Sequence, residues 1–114
     1  MKNVSEFIVV LVTADTKKGA EKIAKALLNK RLAACVNIVP GLTSFFRWKG
    51  KTEKANEFLL VIKTQSGLFA ELEKTVKANH NYSVPEIIAM PIIKGSKDYL
   101  GWIQQEISQK LSKK

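Results

Sequence analysis

The chain has 114 residues, 46% of them hydrophobic, and its 19 basic and 10 acidic residues give a formal charge of +9. That length fits a single domain over residues 1–114, and the apolar share is too high for a disordered or collagen-like chain. No run approaches the roughly 20 apolar residues that span a membrane, and one cysteine cannot form an internal disulfide. Met1 to Ser5 leaves no room for a signal peptide before the first strand, and with the lone thiol this predicts a cytoplasmic protein. The lysines are dispersed along the chain (Lys17, Lys18, Lys22, Lys25, Lys74, Lys77, with a terminal group at Lys110, Lys113 and Lys114). Such spacing reads as solvated helix faces, so nucleic acid is not an expected partner.

Phe7 to Ala14 is a continuous apolar run of strand length. Thr16 then caps a helix, with Asp15 near its positive end and Ala20, Ile23, Ala24, Leu27 and Leu28 on one stripe. A long second strand runs from about Ala33 to Phe46. Pro40-Gly41 bends it, because proline lacks the ladder N–H and glycine accepts a bulge. Trp48-Lys49-Gly50-Lys51 reverses the chain into a third strand, about Glu53 to Thr64. Ser66 or Gly67 opens a second helix with Phe69, Leu72 and Val76 inward and Asn79-His80-Asn81 at its end. Glu86 to Ile92 is a fourth strand between Pro85 and Pro91. Ser96 caps a last helix carrying Leu100, Ile103, Ile107 and Leu111 inward.

This order predicts an α+β fold, a ferredoxin-like βαββαβ sandwich with an antiparallel sheet and a C-terminal helix. Helices cover one face of such a sheet, and a wet second face alternates apolar with polar residues. Ile8 to Val12, Phe58 to Ile62 and Ile87 to Met90 do not alternate. Both sheet faces therefore read as buried, and a partner subunit is expected over the face that the last helix is too short to cover. The distal half of strand two, Leu42 to Trp48, is expected to project and pair with a neighbour's edge.

Leu32 to Ser44 with Trp48-Lys49-Gly50, Tyr82 to Ile92 with its two prolines, and Tyr99-Leu100 and Trp102-Ile103 in order resemble the CutA family, the divalent-cation tolerance proteins. The resemblance spans nearly the whole chain. It implies a homotrimer assembled by strand exchange and a non-catalytic role in metal-ion tolerance or signalling, with Cu(II) or another divalent cation as the candidate cofactor. The copper ligands it implies are a cysteine in the first strand and two histidines ending the second helix. Those positions here hold Val12, Asn79 and His80.

On the residues themselves, His80 with Glu86 across the Pro85 turn is the candidate metal site. An imidazole suits Cu(II), and no oxygen cluster for Mg(II) is present. The competing assignment for His80 is a helix-end residue donating to a free carbonyl. Cys35 reads as a small buried hydrophobe. Trp48, Trp102, Tyr82 and Tyr99 read as interface aromatics, with a cleft for a small ligand between subunits near Tyr82 to Glu86. Two other classes share the topology. An RNA-binding domain needs exposed aromatics on the central strands, and strand one offers only Phe7. An acylphosphatase-type hydrolase needs a phosphate loop after strand one, whereas Gly41 to Arg47 falls within strand two.

Overall fold

The structure, a computed structural model, describes residues 6–109. The leader reading at Met1 to Ser5, Leu111 of the last helix and the terminal lysines lie outside these residues. Eight elements follow in order: β1 Phe7–Ala14, α1 Lys17–Asn29, β2 Cys35–Trp48, β3 Lys51–Gln65, a 3-10 turn Ser66–Leu68, α2 Phe69–Ala78, β4 Ile87–Pro91 and α3 Lys97–Glu106. The four strands form one sheet in the order β2-β3-β1-β4, and every neighbouring pair is antiparallel.

The core lies on one face of that sheet. Ile8, Val10 and Val12 of β1 and Leu60 and Ile62 of β3 are buried against Ala20, Ile23 and Leu27 of α1 and Leu72 and Val76 of α2. Thr16 caps α1 as expected, accepting from the Gly19 N–H at 2.9 Å. Leu28 differs from the expectation. Adjacent to Leu27 but 100° further round the helix, it is 42% exposed.

Strands alternate their side chains, so Val9, Leu11, Leu59 and Val61 point to the other face, where each is only half-buried. Val39, Ile88 and Met90, on the same face by register, are exposed. Within one chain, then, the second face is not closed.

The register of β2 on β3 shifts between Val39 and Leu42, with Gly41 at φ +80, so Pro40-Gly41 makes the expected irregularity. At the hairpin both long strands run past their expected ends, while β2 starts at Cys35 rather than Ala33. The ladder continues to Trp48 opposite Lys51, closed by Lys49 (φ 50) and Gly50 (φ 81). Two consecutive residues at positive φ make a turn whose twist matches that of the strands. The result is an arm that gives the molecule a long axis of 45 Å against 29 and 26 Å.

Helix α3 is held at both ends. Ser96 caps it, accepting from the Tyr99 N–H, and Ile103 and Ile107 are fully buried. Arg31 grips the other end. Its Nε donates to the Glu106 carbonyl and its guanidinium to the Gln105 carbonyl, both at 2.9 Å, while its own carbonyl accepts from the Ser108 N–H at 2.7 Å. A cation at a helix C-terminus also meets the negative end of the dipole. Arg31 adopts φ 57 to do this, a left-handed conformation uncommon for a non-glycine residue.

Candidate functional site

The polar groups of greatest interest converge where β1 ends and the segment after α2 passes over it. Helix α2 stops at Ala78, and Asn79 follows as its cap, its side chain donating to the Thr75 carbonyl at 2.8 Å. The backbone then turns so that His80 faces β1. Its Nε2 lies 2.7 Å from the Thr13 carbonyl oxygen, and its Nδ1 accepts the Tyr82 N–H at 3.0 Å. A carbonyl only accepts, so Nε2 carries the ring proton and Nδ1 supplies the lone pair. The imidazole is a clamp between a strand and a loop.

That clamp fixes Tyr82. Its ring sits 4.9 Å from the His80 ring, and its hydroxyl donates to Glu57 Oε2 at 2.5 Å. Glu57 is 6% exposed and pairs in register with Leu42, the first β2 residue beyond the irregularity. Burial, the bond to Glu57 and the charges of Glu57 and Asp15 push the Tyr82 hydroxyl well above its ordinary range, each disfavouring the phenolate. Asp15 is tied in turn to Asn81, whose amide donates to Oδ1 at 3.0 Å.

As placed, the His80 ring has no free lone pair to offer the metal expected there. Nε2 is protonated toward Thr13, and the Nδ1 lone pair is taken by Tyr82. Binding a cation needs a free nitrogen lone pair, so it requires breaking this clamp. Glu86 is exposed on the far side of Pro85, and no hydrogen bond or ion pair joins it to His80. Among the described residues no three His, Cys, Asp or Glu side chains are grouped to hold a metal. The arrangement is that of the competing assignment, a helix-end residue donating to a carbonyl, and the carbonyl is that of Thr13 on β1.

The expected outcome is that His80→Ala leaves Cu(II) affinity unchanged in titration calorimetry, with any tag removed and the N-terminal amine blocked. The same substitution lowers stability by about 1–3 kcal/mol, because it leaves the Thr13 carbonyl and the Tyr82 N–H unmatched. A clear loss of Cu(II) binding in the variant restores the metal assignment.

Cys35 also differs from expectation. It is half-exposed rather than buried, on the second sheet face opposite Lys63. Its thiol points at Asn37 Oδ1 at 3.8 Å, and the Lys63 ammonium bonds that same oxygen. Tyr99 reaches it from α3. Burial first, then the charge of and hydrogen bond with Cys35, raise the Tyr99 hydroxyl above its ordinary value. Tyr99 packs on Trp102, with ring centroids 5.5 Å apart.

The rival classes find no site. On the second face β1 and β3 present Val9, Leu11, Leu59 and Val61, with half-buried Phe7 at the strand's start as the one aromatic, not the set on which bases stack. Leu42 to Trp48 is laddered to β3 throughout, so Gly41 to Arg47 forms no phosphate-cradling loop.

Residues 8–106 match the family described as CutA1 divalent ion tolerance protein. The Divalent-cation tolerance protein CutA of Thermus thermophilus is 52% identical over 85% of this chain and 94% of its own length. The Protein CutA, chloroplastic, of Arabidopsis thaliana is 47% identical over 85% of this chain and 53% of its own length. The solved structure of the periplasmic divalent cation tolerance protein CutA of Archaeoglobus fulgidus superimposes with a TM-score of 0.87 at 48% identity, over 90% of this chain and 99% of that one. A four-stranded antiparallel sheet with three helices, a projecting β2–β3 arm and a docked last helix thus define a small α+β protein of the divalent-cation tolerance class. The chain belongs to the CutA1 family.

Proposed function

We propose that the chain is the non-catalytic subunit of a cytoplasmic homotrimer that serves divalent-cation tolerance, each subunit a ferredoxin-like sandwich. The strand order β2-β3-β1-β4, antiparallel throughout, supports the sandwich. Among the described residues no helix is long and apolar enough to cross a membrane. The observation that carries the assembly is the open second face of the sheet. Val39, Ile88 and Met90 are exposed there beside half-buried Val9, Leu11, Leu59 and Val61, and the arm adds exposed Phe46 and Trp48 on the same side by register, with exposed Phe45 on the opposite one. A contiguous apolar surface of this kind favours association. Two sheet edges, β2 and β4, are free to pair with other copies, and head-to-tail pairing of unlike edges closes into a ring.

No metal enters this reading through His80. Tolerance then rests on assembly and on what the cleft near Tyr82 to Glu86 recognises. Light scattering after gel filtration at low micromolar concentration tests the trimer, and the expected mass is three times 12.7 kDa. A species of 12.7 kDa overturns it.

A further inference from the structure

We propose that Glu57 and Tyr82 form a receptor for a basic side chain carried on the β2–β3 arm of a neighbouring copy, Arg47 foremost. The proposal rests on the trimer reading and deepens it.

The first observation is a carboxylate without a counter-ion. Glu57 is more than nine-tenths buried, yet its one partner among the described residues is the neutral Tyr82 hydroxyl. The ion pair those residues do make is elsewhere, between Lys77 and Glu73. Asp15 is close enough to act on the Tyr82 hydroxyl, so the surroundings add negative charge rather than cancel it. Buried charges in folded proteins are ordinarily paired, because desolvating an unpaired one is costly. The second observation is that the acceptor is held in place. His80 is anchored through Nε2 to the Thr13 carbonyl and through Nδ1 holds the Tyr82 backbone, and Tyr82 in turn spans to Glu57. With Oε2 taken by Tyr82, the other carboxylate oxygen has no hydrogen-bond partner among the described residues, and because no fully buried side-chain oxygen among them is unmatched, it is open to an incoming group.

The arm is the source that fits. Glu57 stands at its root, opposite Leu42, and the tip at Lys49-Gly50 lies about 20 Å further on at the usual strand rise. The tip carries Arg47, Lys49 and Lys51, all exposed, with the Arg47 guanidinium donating to the Gly50 carbonyl at 3.3 Å, and Phe45, Phe46 and Trp48 of the arm are exposed as well. When copies associate through the open sheet face, arms reach across to neighbours, whereas the α1 lysines stay on the outer helix layer. A guanidinium is suited to the vacant geometry, since its planar fork can donate to the free oxygen and to the Tyr82 hydroxyl oxygen together.

The test is a set of double-mutant cycles on the full chain, read as the trimer dissociation constant by light scattering across a dilution series. Glu57→Gln keeps the acceptor for Tyr82 and removes only the charge. Arg47→Gln, Lys49→Gln and Lys51→Gln each remove one cation. Glu57→Gln is expected to weaken assembly at least tenfold, Arg47→Gln to do the same, and the pair together to do little more than either alone. Coupling of Glu57 to Lys49 or Lys51 instead supports the arm and reassigns the donor. A trimeric wild type with additive effects at all three positions overturns the proposal while leaving the trimer standing. A monomeric wild type removes the trimer reading, and this proposal with it.

Discussion

Replacing Ile103 by alanine is expected to lower the unfolding free energy by about 2–5 kcal/mol, the range for removing a buried branched side chain from a packed core. Ile103 has no solvent exposure, and Ile107 beside it in the fold has 1%. Their burial makes α3 part of the folding unit rather than an appendage. Urea unfolding at one fixed protein concentration measures the effect, since any trimer couples stability to concentration. Gly101→Ala is the matched control. It sits within α3, exposed, and an added Cβ meets nothing within 4 Å. Alanine there is expected to stabilise by about 0.5–1 kcal/mol through helix propensity alone. Equal, small effects at both positions show that α3 is detachable and that Arg31 grips nothing of consequence.

The elements were legible because each follows from a local pattern. Apolar runs of strand length gave β1, β3 and β4, and the stripe at helical spacing gave α1. Thr16 and Ser96 announced their helices because capping is read within three residues. Pro40-Gly41 announced its bulge for a similar reason, as the missing N–H and the positive φ belong to those two residues alone. The arm is longer than the sequence suggests because Lys51 and Thr52 look like turn residues. Only the turn geometry at Lys49-Gly50 lets the ladder run on past them.

The candidate site was far less legible. His80 was singled out as a lone histidine, yet its task is defined by Thr13, 67 residues away, and by the Tyr82 backbone. Glu57 was invisible for the same reason. Nothing in the local sequence Asn56-Glu57-Phe58 says that a tyrosine 25 residues later will reach it. Arg31 likewise serves carbonyls 74 and 75 residues further on. Cys35 was misplaced because apolar neighbours on a strand suggest burial, whereas alternation assigns it to the face left open in one chain. The open face itself was foreseeable, since strands that fail to alternate need two covers and a single layer of helices supplies one.

Placing carboxylates on that face is expected to abolish assembly without unfolding the subunit. Ile88 and Met90 are 49% and 43% exposed, and they sit opposite Leu11 and Val9 on the uncovered side of β4. In the isolated chain, glutamates at both positions stay in water, so the fold loses little. In a trimer built on this face they are taken out of water with no cation provided, at a cost of several kcal/mol per buried charge. Threefold symmetry repeats that cost in every subunit. The Ile88→Glu, Met90→Glu double variant is therefore expected to run at 12.7 kDa by light scattering where the wild type runs at three times that mass, with the far-ultraviolet circular dichroism of a folded chain. Because β4 is an edge strand, the same substitutions also weaken pairing of this edge with another copy. A double variant that stays trimeric at low micromolar concentration removes the second face from the interface, leaving the arm and the strand edges to hold the copies together. A variant that loses its circular dichroism shows instead that Ile88 and Met90 are needed by the subunit itself, against their exposure in the single chain.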